Sequence, residues 1–339
     1  MVPAHQGHET SRILPLEPPS SMWDHGGMTT AEPGRGVLEA NVPDPGTAII
    51  WGAHDYPHWR VRWHHHPEVE FHLIRQGTGL MMVGDQLVPF HAGQVSMIGS
   101  ELPHNWISDL APGEVITRRD VYCLVRPGGL REMGADADFP EASAIRALLE
   151  RAAHGIILSG SSARQARDLL EQMGGHSALH RLTDVFHLLA LFADAPDDEW
   201  QTVVTPGFLP DRSPEAADRV NAALSYIASR QEAGALDVRM TEVADAVGMS
   251  PSAFSRFFHQ ATGITFSDMV TRLRISRACH LLTSTDWSVA RIQAESGYDN
   301  ASNFNRRFRA QTGTTPLAYR REHSLGGQAS RTQPDHHHP

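Results

Sequence analysis

Two stretches near the C-terminal end decide the reading of this chain. The first is Thr241-Glu-Val-Ala-Asp-Ala-Val-Gly248-Met-Ser-Pro-Ser-Ala-Phe254-Ser-Arg256-Phe-Phe258-His-Gln-Ala-Thr262-Gly263. The second is Val289-Ala-Arg-Ile292-Gln-Ala-Glu-Ser-Gly297-Tyr298-Asp-Asn-Ala-Ser-Asn-Phe304-Asn-Arg306-Arg-Phe308-Arg-Ala-Gln-Thr312-Gly313. They are one pattern written twice, and an internal repeat marks a repeated structural unit. Each copy predicts a short apolar-periodic helix, a turn opened by Gly248 or Gly297, and a second helix carrying Arg on its polar side. That is a helix-turn-helix, whose second helix fits the major groove of a duplex.

The details of each copy agree with this. Val243, Ala244 and Val247 form one apolar face. Gly248 lets the backbone leave the helix. Ser250 is placed as an N-cap with Pro251 at the first helical position. Phe254, Phe257 and Phe258 are then expected inside, as are Phe304 and Phe308 in the second copy. Ser252, Ser255, Arg256 and His259 are left outside, with Ala301, Ser302, Asn305, Arg306 and Arg309 as their counterparts. Arg pairs bidentately with the O6/N7 edge of guanine and Asn with N6/N7 of adenine. Arg256, Arg306 and Asn305 are therefore the candidates for base reading. Arg274, Arg307, Arg309, Arg320 and Arg321 are candidates for phosphate contacts, which position without specifying.

With these residues in view, residues 240–321 resemble the C-terminal domain of the AraC/XylS family of transcription regulators. The signature runs Arg274-Ile-(2)-Ala278-(2)-Leu281-Leu282-(2)-Thr285, Val289-(2)-Ile292, Gly297-Tyr298-(5)-Phe304-(3)-Phe308 and Gly313-Thr-Thr-Pro316-(2)-Tyr319-Arg320. Gln293 departs from the small residue usual after Ile292, which predicts looser packing there. The resemblance implies two helix-turn-helices joined by one helix, as the repeat does independently. It also implies two recognition helices about 34 Å apart in successive major grooves of double-stranded DNA.

Charge initially opposes that reading, since the 339-residue chain carries a net −10. The charge is uneven. Residues 1–210 hold 14 Arg against 26 Asp and Glu, a net −12, whereas residues 211–323 hold 14 Arg against 12, a net +2. All 29 basic residues are Arg. The part that carries the repeat is the one that is not acidic. Cys123 and Cys279 have no metal-type spacing and read as reduced cytoplasmic thiols. No stretch is apolar enough over about 18 residues to span a membrane, so no membrane partner is expected.

Outward from the repeat, the chain divides as follows. Residues 1–46, rich in Pro, Gly, His and Ser, and residues 324–339 are expected to be disordered tails. Residues 47–130 contain short β-rich runs, among them residues 59–63, 69–74 and 80–83. They are punctuated by Gln76-Gly-Thr-Gly79, Gly84-Asp85 and the stretch from Pro89 to Gly93, which predicts a β-barrel or sandwich. Residues 131–194 turn helical in period. Leu182 to Phe192 is apolar on more than one face, to be buried against the barrel, its neighbours or a second chain. Residues 195–214, with four prolines, read as a linker, and 215–323 as the DNA-binding domain. The expected class is multidomain α+β.

The other informative stretch is Trp63-His-His-His-Pro-Glu-Val-Glu-Phe-His-Leu73. In an extended strand His64, His66, Glu68, Glu70 and His72 share one face, with Trp63, Val69, Phe71 and Leu73 on the other. The stretch resembles a cupin, matching His64-x-His66-(3)-Glu70-(6)-Gly77, then Gly93-(5)-Gly99 and Leu102-Pro103-His104. Gly99, Glu101 and Ser108 stand where Pro, Gly and Asn are common. In metal-binding cupins the corresponding positions hold the ion, which carries over to His64, His66, Glu70 and His104. Three His and a carboxylate suit Zn, Fe, Mn, Ni or Cu. Three readings stay open: a metal site, a metal-free effector pocket for a polar molecule such as a sugar, and a structural His–Glu network. Trp51, Trp59, Trp63 and Trp106 lie nearby, either to stack on a sugar or to fill the core.

The expectation is thus a cytoplasmic, homodimeric, non-enzymatic DNA-binding regulator, with a small-molecule effector bound in the cupin-like region. The alternative is a cupin metalloenzyme or a metal-responsive regulator carrying the same DNA-binding part.

Overall fold

The computed structural model describes residues 48–57, 62–110, 113–135, 140–209, 212–232 and 237–328. The tail expected at residues 1–46, residues 329–339 of the tail expected at 324–339, and Trp59 lie outside the described residues, whereas residues 324–328, expected to be disordered, continue the last helix. Seven strands come first: β1 (Ile49–Tyr56), β2 (Val69–Ile74), β3 (Thr78–Val83), β4 (Gln86–His91), β5 (Val95–Ile98), β6 (His104–Ser108) and β7 (Ile116–Val125). Then follow α1 (Pro127–Ala135), α2 (Ser143–Ala152), β8 (Ile156–Leu158), α3 (Gly160–Gln172), α4 (Ala178–Ala193) and β9 (Trp200–Thr202). The rest is helical: α5 (Pro214–Glu232), α6 (Met240–Ala246), α7 (Pro251–Thr262), α8 (Phe266–Ser284), α9 (Val289–Glu295), α10 (Ala301–Thr312) and α11 (Pro316–Gln328). No described helix is long and apolar enough to cross a membrane.

The strands form a six-stranded sheet, β1-β7-β2-β5-β8-β9, and a three-stranded sheet, β4-β3-β6. All pairings are antiparallel. β2 is buried along its whole length, because both its faces are covered. Val69, Phe71 and Leu73 enter a core shared with α2, α3 and α4, where Phe71 meets Phe192 at 5.5 Å between ring centroids. Ile74, Met81, Phe90, Ile98 and Trp106 fill a second core between the sheets.

Three expectations are corrected here. Residues 59–63 do not read as a strand where they are described: Arg62 and Trp63 are irregular, and His64 pairs with His104 in an isolated bridge. The helical segment 131–194 is interrupted by β8, which pairs with β5. Residues 195–214 are not simply a linker. Trp200–Thr202 extends the sheet as β9, Val204 is buried between the sheets, and Glu199 accepts the Ser161 and Ser162 backbone N–H groups at 2.8 Å each. Prolines mark the turns around these contacts, not a free connection. The apolar surplus of α4 is mostly spent inside: Val185, Leu188, Leu189 and Phe192 are buried on the sheet, leaving Leu179 and Leu182 exposed.

In the C-terminal part, each copy folds as a short helix, a turn and a longer helix. Gly248 and Gly297 stand at φ 68° and 76°, the left-handed region where a side chain is strained. Ser250 caps α7 by accepting the Ala253 N–H, with Pro251 following. The repeated Thr-Gly ending has a common cause. Thr262 Oγ1 donates to the Phe258 carbonyl at 2.7 Å and Thr312 Oγ1 to the Phe308 carbonyl at 2.9 Å, while each also receives an N–H two residues on.

The β-rich region and the first helix pair share a core. Trp63, Leu80, Met82 and Leu87 pack with Val220, Phe254, Phe258 and Leu273. The second pair has its own core around Ile292, Phe304 and Phe308. Helix α8 is tied to the β region by Ser276, which donates to Asp109 at 2.6 Å, and by Arg272 and Arg277, which donate to the Leu87 and Leu110 carbonyls.

Candidate functional site

The polar faces of α7 and α10 are open. Ser252, Ser255 and Arg256 are exposed on α7, and Ala301, Ser302, Asn305, Arg306 and Arg309 on α10. They are exposed because the opposite faces are pinned. Phe254 stacks near Phe258 and Phe266, while Phe304 and Phe308 lie 5.7 Å apart with Tyr319 beyond. Phe257, expected inside, is only half-buried, with Arg219 over its ring.

Not every Arg is available. Arg320 donates to the Leu282 carbonyl at 3.1 Å and the Trp287 carbonyl at 2.6 Å. It closes the end of α8 and is not a free phosphate contact. Arg274 is half-buried, near Asp237 and over the Tyr298 ring. Arg307, Arg309 and Arg321 remain exposed.

The second constellation lies in the β-rich region. His64, His66, Glu70 and His104 each offer a ligand atom, and these atoms lie within 4.8 Å of one another. Strand parity alone does not assemble them. Glu70 comes from β2 and His104 from β6, while His64 and His66 come from the irregular stretch before β2, held by the bridge to His104. Parity would equally have included His72 and Glu68, which sit beside the cluster. His72 Nδ1 donates to Glu70 Oε1 at 2.6 Å, and its ring stacks on Trp106 at 3.8 Å.

The hydrogen bonding places the Nδ1 protons. Nδ1 of His64 lies 2.6 Å from the Arg62 carbonyl, Nδ1 of His66 3.2 Å from the Glu68 carbonyl and Nδ1 of His104 2.7 Å from the Leu102 carbonyl. A carbonyl only accepts, so each Nδ1 carries a proton. Nε2 of His66 and of His104 lie 3.1 and 3.2 Å from Glu70 Oε2. Burial works to raise the Glu70 carboxyl, but hydrogen bonds from His104, His66 and His72 outweigh it and hold it well below the usual carboxylate range. Burial and the neighbouring His104 and His66 rings push His64 well below the usual imidazole range. The Nε2 atoms of His66 and His104 therefore meet an ionised carboxylate, a contact that needs positive charge, carried by protons on the rings or by a cation held between them.

The three departures from the cupin pattern each have a local reason. Gly99 donates its N–H to the Ala152 carbonyl at 2.9 Å, and a Cβ there would meet that carbonyl oxygen at 2.5 Å. Glu101 stands at φ 63°, a conformation glycine adopts freely, and its carboxylate receives His65 Nδ1 at 2.6 Å. Ser108 receives the buried guanidinium of Arg119. The tryptophans are committed as well. Trp51 donates to the Leu170 carbonyl, Trp63 sits in the core shared with the helices, and Trp106 lies against His72.

Comparison with known proteins bears on the helical part. Residues 243–322 match a family model described as a helix-turn-helix domain. The regulatory protein PocR of Salmonella typhimurium is 37% identical over 112 residues, which cover 33% of this chain and 36% of PocR. The transcriptional activator NphR of Rhodococcus sp is 29% identical over 136 residues, 40% of each chain. The chain thus spans well under half the length of these curated relatives. Among solved structures, the DNA-binding domain of AdpA in complex with a target DNA is 26% identical, covering 33% of this chain and 98% of that one, with a TM-score of 0.29.

Residues 243–322 are a helix-turn-helix domain.

Within this domain the sequence reading missed three polar contacts. Gln293, expected to loosen packing, donates its amide to the Tyr298 carbonyl at 2.9 Å and so braces the turn. Asn300 caps α10 by accepting the Asn303 N–H, and Asn303 in turn receives the Arg306 guanidinium at 3.0 Å. An Asn just before a periodic run is a recognised cap signal and was available to find the second of these.

Proposed function

We propose that the chain is a transcription regulator that reads a specific double-stranded DNA site through both helix pairs and is controlled through the β-rich region. The exposed row on α7 and α10, with Arg256 and Arg306 in equivalent places on two copies of one fold and Asn305 beside Arg306, carries this reading. It is tested by selecting a preferred duplex from random-sequence DNA and measuring binding to it and to a shuffled duplex. Equal affinity for the two would sink sequence-specific reading.

The input side of the proposal is a cupin-like site built from His64, His66, Glu70 and His104 that takes a divalent transition metal. The donor set fits. Each His is oriented by its Nδ1 on a backbone carbonyl, the outer-shell arrangement typical of metal-bound imidazoles. Ligand atoms of the four residues lie within 4.8 Å of one another, so that one ion could be shared among them. A bound cation would take the place of the ring protons through which His66 and His104 meet Glu70. A sugar effector has less support, since Trp51 and Trp63 are engaged elsewhere. Elemental analysis of protein purified without a metal-affinity column should find one transition metal per chain, lost in His64→Ala and Glu70→Ala while helical content is kept. Metal-free, folded wild-type protein that takes up no added Zn²⁺ would rule this site out.

A homodimer completes the proposal. Leu179 and Leu182 stay exposed one helical turn apart on α4, and Phe186, one turn further, is only half-buried. The stripe suits a second copy of the chain, and sedimentation of Leu182→Glu against wild type reads it directly.

A further inference from the structure

Three consecutive residues belong to two sites at once. The Arg62 carbonyl accepts the Nδ1 proton of His64 at 2.6 Å. Trp63 is gripped on both sides of its backbone by one side chain of α5. Its N–H donates to Asn221 Oδ1 at 2.8 Å, and its carbonyl accepts Asn221 Nδ2 at 2.9 Å. His64 in turn exchanges backbone hydrogen bonds with His104, at 3.2 and 2.9 Å. The cluster and the DNA-binding part are thus joined by a path of adjacent peptide groups.

The Trp63 side chain strengthens the joint. It is 3% exposed and packs in one core with Val220, Ala223 and Ile227 of α5 and Phe254 of α7. Asn221 is itself buried, so its removal would leave two backbone groups unpaired. The packing beside the joint is not solid. A cavity of about 160 Å³ opens there, lined by Arg62, Asn105, Asn221 and Leu273 among others, and Asn105 Oδ1, on the residue after His104, is buried without a partner. The stretch from Arg62 to His64 therefore has a rigid grip on one side and room to shift on the other.

We infer that the Trp63–Asn221 pairing is the link through which occupancy of the His64–His66–Glu70–His104 cluster is transmitted to α5 and the first helix pair, with Asn221 acting as a positioning residue for the His64 side of the cluster. This rests on the reading of the cluster as a metal site. Fixing His64 through a metal fixes the Arg62 carbonyl that orients it, and with it the backbone that Asn221 holds. The coupling is reciprocal: whatever the grip contributes to metal affinity, the metal contributes to the grip.

The test uses the full chain and Zn²⁺. Affinity is measured by competition with a chromophoric chelator for wild type, Asn221→Ala, Asn221→Asp and Ser225→Ala. Asn221→Asp keeps an acceptor for the Trp63 N–H but faces the Trp63 carbonyl with a second acceptor. Ser225 lines the same cavity without touching Trp63. Both Asn221 variants should bind Zn²⁺ about tenfold more weakly, as outer-shell changes do, and Ser225→Ala should match wild type. In wild type, Zn²⁺ should slow amide hydrogen exchange along Pro214–Glu232, and the slowing should vanish in Asn221→Ala. The exchange measurement on the unsubstituted chain reads the coupling even where an Asn221 variant fails to fold. Zn²⁺ binding with no response in α5, or Asn221 variants that bind as wild type does, overturns the inference and leaves the metal site standing. No Zn²⁺ binding by folded wild type removes both.

Discussion

Arg306 and Arg309 stand three residues apart on α10, both exposed, yet they differ in what holds them. Arg306 is steered by Asn303, near the helix start where recognition residues meet base edges. Arg309 lies in the last turn. Arg306→Ala should cost about 1–3 kcal/mol at the selected duplex and relax preference at one base pair. Arg309→Ala should weaken all duplexes alike and lower the salt-dependence slope by about one. Fluorescence anisotropy across a salt series separates them, and uniform loss for Arg306→Ala removes it from the base-reading set. Residue type and helical spacing were enough to nominate these side chains. They were not enough for Arg320, next to Arg321 and identical in type, which turns back onto the carbonyls of Leu282 and Trp287. Which of two adjacent arginines meets solvent depends on what the neighbouring helix end leaves unpaired.

At the scale of elements, the doubled helix pair was legible because every signal agrees: period, cap, left-handed glycine and Phe spacing. Phe308 shows what the agreement is worth. It is fully buried between Phe304 and Tyr319, in a core separate from the first copy's. Phe308→Ala should destabilise the second pair by about 3–5 kcal/mol. Chemical denaturation should then show the second copy unfolding early, and an unchanged midpoint would mean that this core is not independent. By contrast, β8 and β9 carried no readable signal. Each is three residues long, too short for a period, and each is a strand only because an edge with unpaired backbone groups lies alongside. The cluster stands between these cases. Its four residues were nominated by the resemblance to a cupin, but Pro67 interrupts the strand that was to align the first three. The alignment comes from the His64–His104 bridge across two elements.

For the whole molecule, the contact between the β-rich region and α8 is the feature with the clearest pH signature. Burial pushes the Asp109 carboxyl up to about 7, against the opposing pull of Ser276 and Arg277. An unfolded Asp titrates near pH 4. Between roughly pH 4 and pH 7 the folded chain therefore keeps a proton that the unfolded chain releases, so stability falls as pH rises through that window. Asp109→Asn removes the titration. Its melting temperature should gain on wild type as pH rises from about 5 to about 8, and parallel pH profiles would show that this carboxyl does not sense burial. Local order, the repeat and the face of each recognition helix were all readable along the chain. They depend on near-neighbour periodicity and residue chemistry, which a linear string preserves. The merged core around Trp63, the grip of Asn221 on a residue 158 positions away, the strand within the expected linker and the hydrogen bonding of the cluster were not. They depend on which surfaces meet after folding, and burial and unpaired backbone groups exist only once those surfaces are in contact.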